Sequence, residues 1–162
     1  MSDETGFKLY PTQLNQAVII NVGNELSDQL LDDLRDLALI SIQRDGNKAV
    51  IFLLAGLHSM DTDEYEKLYA ISKMVRVLGA QPFYVGLSSG IVAHLVNHDV
   101  EIAGVASFYS LSQALAAIDR INEGVKAETE EDQQGAPNQI AFPDRDDLDT
   151  SQNALDQNDV LT

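Results

Sequence analysis

The sequence predicts an α/β protein in which a mostly parallel sheet of about four or five strands is covered by about four helices. Runs rich in β-branched and other apolar residues alternate along the chain with longer segments of helical spacing. The run AVIFLLAGL, residues 49–57, is continuously apolar, as expected for a central strand that is covered on both faces. Strands that alternate with helices of about 10 to 18 residues favour a parallel sheet joined by helical crossovers.

The first part of the predicted fold holds two strands and a helix. The segment FKLYP, residues 7–11, is predicted to be a short edge strand, and AVIINVG, residues 17–23, is predicted to be a strand because it is rich in β-branched residues. Leucines at helical spacing follow. Ser27 is placed to cap this helix, and Gly46 is placed to end it.

The second part continues the alternation and then changes character. The predicted elements are a strand at 48–56, a helix at 61–78, a strand at 81–87, a short helix at 90–99, a brief strand or turn at 105–110 and a last helix at 110–124. The following residues are rich in Asp, Glu, Gln and Asn, and their apolar residues share no period. Such a segment buries too little apolar surface to offset its ordering entropy, so residues 7–123 are predicted to form one domain and residues 124–162 an acidic, disordered tail.

Composition excludes several classes of protein. The chain has no cysteine, which excludes disulfides, thiolate metal sites and a cysteine nucleophile. Its formal net charge of −16 repels phosphate backbones and anionic lipid, so neither nucleic acid nor a membrane is an expected partner. The first ten residues lack the pattern of a secretory signal, and the longest apolar run is far shorter than the roughly 20 residues that span a bilayer. We therefore expect a cytoplasmic protein.

The turn LHSMDTDEYEKLY, residues 57–69, lies where an apolar strand leads into a helix. Asp61 can cap this helix, Glu64 can complete a capping box, and Asp63 adds negative charge to the first turn, so helix stability alone can explain the acids. A functional interpretation comes from position, because ligands and chemistry gather at the carboxyl ends of parallel strands. Thr62 would carry a hydroxyl on the first helical turn, where the helix dipole can stabilise a phosphoryl group.

The ordered series of elements resembles the STAS domain of anti-sigma-factor antagonists. Two N-terminal strands, a helix and an apolar strand lead to a loop in which Asp is followed by Thr at a helix start. Similar features continue through MVRVLGA at 74–80, a strand ending in VGL at 85–87, a turn at 96–102 and the helix after SLSQAL. The features are most similar to the stressosome branch, the scaffold antagonists of the RsbS and RsbR type. The resemblance covers residues 7–123 and implies the STAS fold.

The resemblance also implies a non-enzymatic phospho-switch without a cofactor. Its implied partners are a serine/threonine switch kinase of the anti-sigma type and other STAS-domain co-antagonists, in a homo- or hetero-oligomer. The family follows its acceptor with small or apolar residues, whereas acids follow here. Either the kinase tolerates acids, or the acidic turn partly mimics a phosphorylated state. The implied phosphoacceptor is Thr62, with Ser59 as the alternative, and the implied partner-binding residues are Asp61, Asp63, Ser88 and Ser89.

Other kinds of site have weaker support in the sequence. His94 and His98 are spaced i, i+4, but no H-E-x-x-H pattern surrounds them, so surface or interface histidines are favoured and no metal site is predicted. The GLSSG loop, residues 86–90, lacks the lysine and the spacing of a P-loop. It provides the alternative function, a flavodoxin-like domain that binds a nucleotide or other small ligand. A catalytic triad built from Ser59 and its neighbours lacks a nucleophile elbow, so no catalytic residue and no enzyme is predicted.

Overall fold

The computed structural model describes residues 9–134, and the side chains of residues 9–127. The predicted alternation of strands and helices is confirmed, with a five-stranded sheet and four helices among the described residues. The elements in chain order are β1 (Thr12–Leu14), β2 (Ala17–Asn21), α1 (Asp28–Gln43), β3 (Ala49–Leu53), α2 (Thr62–Val77), β4 (Gln81–Val85), α3 (Ser89–Asn97), β5 (Ala106–Phe108) and α4 (Leu111–Gln134).

The strands of the sheet are neighbours in space in the same order as in the chain, β1-β2-β3-β4-β5. β1 pairs antiparallel with β2, and every other pair is parallel, so the predicted mostly parallel sheet is confirmed. Each parallel connection advances by one strand in the same direction. Because such crossovers are right-handed, α1, α2 and α3 all lie on one face of the sheet, where their apolar residues form a single cluster.

Apolar side chains bury both faces of the sheet. Val18 and Phe52 point to the face that is covered by α1, α2 and α3. Their sequence neighbours Ile19 and Ile51 point to the other face, where they pack with Ala114 of α4. This alternation is the two-residue period of a β-strand. Because both faces are covered, the central strands are apolar at successive positions, which is the pattern that the sequence of β3 shows.

The first strand lies later in the chain than the sequence predicts. A strand is predicted at residues 7–11, but β1 is Thr12–Leu14, so this prediction is wrong. Residues 9–11 are described and are not in a strand, whereas residues 7 and 8 lie outside the described part of the chain. Pro11 has no backbone N–H to donate to a strand ladder, and it therefore precedes the strand instead of joining it.

A two-residue turn without glycine fixes the position of β1. Asn15 and Gln16 have φ angles of 52° and 62°. Two successive positive φ angles are typical of a type I′ turn, which joins antiparallel strands with the twist that a hairpin needs. Leu14 accordingly pairs with Ala17. The hairpin therefore places β1 directly before the turn.

The last helix is longer than predicted. It is predicted to end at Gly124, but α4 continues to Gln134. Ala, Glu, Gln and Lys make up most of residues 125–134 and favour a helix, and an interior glycine costs only about 1 kcal/mol. The chain divides after Gly124 into two units, and the structure describes only the helical residues 125–134 of the second. The disorder predicted for residues 135–162 lies outside the described residues and stays a prediction.

None of the helices described in residues 9–134 is both long enough and apolar enough to cross a membrane.

Candidate functional site

Three helices begin at the same edge of the sheet. α1, α2 and α3 follow the carboxyl ends of the neighbouring parallel strands β2, β3 and β4. Ser27, Asp61 and Ser88 are their N-caps, and each side chain accepts a hydrogen bond from the N–H three residues further on. Helix N-termini carry partial positive charge and free N–H groups. This edge is therefore the part of the fold best suited to a negatively charged group.

The start of α2 is a reciprocal capping box. The N–H of Glu64 donates to Asp61 Oδ1 at 2.8 Å, and the N–H of Asp61 donates to Glu64 Oε2 at 2.8 Å. The predicted capping role of both residues is confirmed. Both carboxylates are thus engaged with the backbone, where they satisfy donors that a helix start otherwise leaves open.

Thr62 is the first residue of α2 and is half-buried. With respect to residues 9–134, its hydroxyl neither donates nor accepts a hydrogen bond. Modification of this hydroxyl would therefore break no hydrogen bond among the described residues. Its place on the first turn lets an added anion interact with the positive end of the helix dipole.

Asp63 is held by a lysine that also bridges two helices. Lys67 Nζ lies 2.6 Å from Asp63 Oδ2 on the same helix and 2.7 Å from Asp28 Oδ1 on α1. Two hydrogen bonds, the one to Asp28 having the larger effect and the one to Asp63 the smaller, raise the pKa of Lys67 above its ordinary value. All three groups are exposed, so the pairs are worth little to stability. Their effect is local: they place a positive charge beside the residue that follows Thr62.

Glycines let the three loops at this edge pack closely. A Cβ atom at Gly56 would lie 2.6 Å from the backbone oxygen of Gly23, in the loop after β2. A Cβ atom at Gly86, in the loop after β4, would lie 2.6 Å from Ala55 Cβ. Larger residues would force the backbones apart, because Cβ atoms do not approach other heavy atoms so closely. The loop that leads to Thr62 is therefore packed between its two neighbours.

His58 ties the same loop to the loop after β2. Its backbone N–H and its Nδ1 lie 3.4 and 3.3 Å from the carbonyl oxygen of Asn24. A carbonyl oxygen can only accept, so His58 Nδ1 donates to it. A catalytic triad would need that proton to face Asp61, whose carboxylate caps α2 instead. His58, Ser59 and Asp61 are therefore not arranged as a triad.

The remaining residues predicted for the site lie at the same edge. Ser59 is exposed in the loop before α2. Ser88 Oγ accepts a hydrogen bond from the N–H of Ile91 at 3.3 Å, and Ser89 is the exposed first residue of α3. The structure thus brings Asp61, Thr62 and Asp63 together on one turn and places the serine pair at the next helix start. Ser89 occupies the same position in its helix as Thr62 does in α2.

Within residues 9–134, the loop at residues 86–90 does not have the position of a ligand site in a doubly wound sheet. In doubly wound sheets the ligand crevice forms where the strand order reverses, and the order of the described strands does not reverse. Two surface grooves lie elsewhere, and neither is lined by this loop. A groove of about 470 Å³ lies between α1 and α2, with Arg35 and Met74 in its lining. A second of about 500 Å³ lies beside β5 and α4, with Phe108 and Arg120 in its lining.

No group of three or more His, Cys, Asp or Glu side chains within the described part of the chain could hold a metal ion. The acids around Thr62 are occupied by the backbone and by Lys67. The chemistry that this edge supports is accordingly that of a threonine hydroxyl at a helix start that no described residue engages.

Sequence reasoning missed the part played by Lys67. The contact between Lys67 and Asp63 had a signal in the sequence, because the two residues are four apart on a predicted helix and such pairs face each other. The contact between Lys67 and Asp28 could not be predicted from local spacing, since Asp28 lies 39 residues away in the chain. It depends on α1 and α2 starting at the same edge.

Comparisons with known proteins were informative at the level of structure. No protein-family model matches the sequence, and no curated protein sequence matches it. A serine-to-glutamate variant of RsbS from Moorella thermoacetica is similar with a TM-score of 0.62 and 16% identity, over 72% of this chain and 98% of that chain. A structure described as the molecular architecture of the stressosome, a signal integration and transduction hub, is similar with a TM-score of 0.61 and 17% identity, over 70% and 98%.

A third similar structure has the same fold. It is an anti-sigma-factor antagonist (STAS) domain protein from Planctomyces limnophilus, with a TM-score of 0.55 and 16% identity, over 68% of this chain and 97% of that chain. Together these likenesses confirm the predicted STAS fold. Similarity at identities this low establishes the fold of the matched part of the chain and not its activity.

Proposed function

We propose that this chain, which has the STAS fold, is a non-enzymatic regulatory phospho-switch and scaffold of the anti-sigma-factor antagonist type. A serine/threonine switch kinase of the anti-sigma type phosphorylates Thr62. The chain assembles in the cytoplasm with other STAS-domain co-antagonists in a stress-response complex. One observation carries the proposal: Thr62 is the first residue of α2, at the carboxyl edge of the sheet, with a hydroxyl that no described residue engages.

The acids around Thr62 can coexist with a phosphoryl group because each already has a partner. Asp61 and Glu64 accept backbone N–H groups, and Asp63 pairs with Lys67. A phosphoryl group adds about −1.5 to −2 charges, and the helix dipole offsets about 1 kcal/mol of the resulting repulsion. This arrangement favours a kinase that tolerates acids over an acidic turn that permanently mimics the phosphorylated state.

Ser59 is the weaker of the two candidate acceptors. It is exposed, but it precedes the N-cap by two residues and therefore lies outside the first helical turn. The helix dipole acts mainly within that turn, so a phosphoryl group on Ser59 would gain less from it than one on Thr62.

The proposed switch works by changing the charge of a binding surface. Asp61, Asp63, Ser88 and Ser89 lie at the edge that holds Thr62, and all four are exposed. Adding a dianion changes which partner groups this surface can bind, without a large change in the fold. A basic partner surface would bind the phosphorylated form more tightly, and an acidic one would bind it less tightly.

Phosphopeptide mapping of the protein from stressed and unstressed source cells tests the acceptor. We expect phosphate on Thr62 in an amount that changes with stress and is lost in Thr62→Ala. Ser59→Ala is the matched control and should retain the phosphate. An unmodified Thr62 under both conditions would contradict the switch.

Size-exclusion chromatography coupled to light scattering tests the scaffold separately. We expect particles larger than a monomer, either for the chain alone or after mixing with STAS-domain co-antagonists from the same source. A monomer under both conditions would contradict the scaffold role while leaving the phosphorylation result unaffected.

A further inference from the structure

Two of the three histidines of the chain lie against each other at the end of α3, where His94 is in the last turn and His98 is the C-cap. The ring centroids of His94 and His98 are 4.4 Å apart, with an angle of 40° between the ring planes. Both residues are exposed, and neither takes part in the edge that holds Thr62. Because the two rings are in contact and both residues are exposed, both imidazoles reach the same region of solvent.

The hydrogen bond of His98 determines which of its nitrogens is free. His98 Nδ1 lies 2.9 Å from the backbone carbonyl oxygen of His94. Because a carbonyl oxygen only accepts, Nδ1 must carry the proton, and the neutral ring then has its lone pair on Nε2. A hydrogen bond from one ring nitrogen to a backbone carbonyl is the arrangement that fixes the tautomer and orientation of metal-binding histidines.

The separation of the two ring centroids is compatible with a shared ion. With a metal–nitrogen distance of about 2.1 Å, the centroid of a coordinating imidazole lies about 3.2 Å from the ion. Two such centroids are about 4.5 Å apart when the angle at the ion is 90°, and about 5.2 Å apart at the tetrahedral angle. The observed 4.4 Å is close to the first of these two values, and both side chains are exposed, so rotation about their χ angles can turn one nitrogen of each ring toward the same ion. Angles near 90° are typical of square-planar and tetragonal sites for Cu²⁺ and Ni²⁺.

We propose that His94 and His98 form a two-imidazole binding site for one late first-row divalent cation, Cu²⁺ most strongly and Ni²⁺ next. Imidazole nitrogens suit these metals, and Cu²⁺ has the highest affinity in the general order of divalent ions. The described residues offer no group of three ligands, so water completes the coordination. Mg²⁺ and Ca²⁺ do not bind here, because they require oxygen ligands.

NMR of the imidazole protons during titration of the full chain with Cu²⁺ tests the site. The chain has three histidines, so His58 serves as an internal control. At substoichiometric Cu²⁺ we expect the signals of His94 and His98 to broaden together while those of His58 stay sharp. A competition titration with a metallochromic chelator should give one site in the wild type. His94→Gln and His98→Gln each leave only one imidazole to bind the ion, so each should weaken the affinity for Cu²⁺ about 100-fold.

Two controls separate this site from non-specific binding to the many carboxylates of the chain. His58→Gln should bind Cu²⁺ as the wild type does. Circular dichroism should show that all three histidine variants remain folded, because the substituted residues are exposed. Equal broadening of all three histidines would overturn the proposal. An unchanged affinity in His94→Gln would also overturn it, because the ion would then be held by carboxylates or by a single imidazole.

Discussion

Lys67 joins the starts of two neighbouring helices, since its Nζ atom lies 2.7 Å from Asp28 Oδ1 on α1. The same ammonium group lies 2.6 Å from Asp63 Oδ2, one residue after the proposed acceptor Thr62. Asp28 and Lys67 are also both part of the lining of the groove between α1 and α2. The side chain of Lys67 thus connects the charged groups beside Thr62 to α1.

Removing Lys67 should make a phosphoryl group on Thr62 less favourable. In Lys67→Gln the charge of Asp63 is no longer neutralised, so the dianionic form of the phosphate is disfavoured by repulsion. We expect the second pKa of phosphothreonine at position 62, normally about 6, to be higher in Lys67→Gln than in the parent protein. Phosphorus NMR of protein made with genetically encoded phosphothreonine measures this pKa.

A lysine at the opposite edge of the sheet provides the control for that comparison. Lys48 is exposed and directly precedes β3. Lys48→Gln therefore removes the same charge at the amino end of β3, whereas Thr62 follows its carboxyl end. The phosphate pKa should be nearly unchanged in Lys48→Gln. An equal rise in both variants would mean that net charge, and not the bridge from Lys67, controls the phosphate.

The capping box makes Asp61 the most important residue for the stability of the first turn of α2. Asp61→Ala removes the acceptor for the N–H of Glu64 and should lower the free energy of unfolding by about 1 kcal/mol, whereas Asp61→Ser should restore most of it. Urea denaturation followed by circular dichroism measures both. Glu66→Ala, at an exposed position of the same helix, should change stability much less. A loss in Glu66→Ala as large as in Asp61→Ala would argue against the cap.

Local chemistry explains why so much of this edge could be predicted from sequence. The caps at Ser27 and Asp61 depend on residues at most three positions apart, so the sequence contains all the information they need. The continuous apolar runs likewise identify buried parallel strands without knowledge of their neighbours. The central sheet and the position of Thr62 followed from these two kinds of signal.

The errors concern features that depend on weak preferences or on distant residues. The hairpin turn at Asn15 and Gln16 contains no glycine, so the usual sequence signal for a type I′ turn is absent and β1 was misplaced. Gly124 resembles a helix stop, but good helix formers follow it and α4 continues. The contact between Lys67 and Asp28 arises only when the fold brings α1 and α2 together.

Loss of the hydroxyl group should lower stability at one buried tyrosine and not at another. Tyr84 Oη lies 2.8 Å from Ser72 Oγ, which in turn donates to the backbone oxygen of Leu68. Tyr84→Phe therefore removes a buried hydrogen bond and should cost about 1 kcal/mol. The hydroxyl of Tyr65 is buried without a partner among the described residues, so Tyr65→Phe should be neutral or stabilising. Equal losses in urea denaturation would show that Tyr65 also has a partner, such as an ordered water.

Alkaline pH should destabilise the fold through Tyr84. Burial raises the pKa of Tyr84 above its ordinary value of about 10, because the charged form is poorly solvated in the core. The unfolded chain therefore loses its proton first, and the stability contributed by the neutral ring is present below about pH 10 and is lost as the pH rises above it. Between about pH 10 and 12, the free energy of unfolding should fall less steeply in Tyr84→Phe than in the parent. Parallel curves for the two proteins would contradict this prediction.

The close packing of the loops at the edge that holds Thr62 is tested by a pair of glycine substitutions. A Cβ at Gly56 would lie 2.6 Å from a backbone oxygen of Gly23, so Gly56→Ala should lower the free energy of unfolding by about 1 to 3 kcal/mol. A Cβ at Gly124, inside α4, would meet no described atom within 4 Å apart from those of its own helix and chain neighbours, and Gly124→Ala should raise stability by up to about 1 kcal/mol. Urea denaturation of both variants makes the comparison. If Gly56→Ala were as stable as the parent, the loops after β2 and β3 would not be in contact, and the edge that presents Thr62 would be less rigid than the structure indicates.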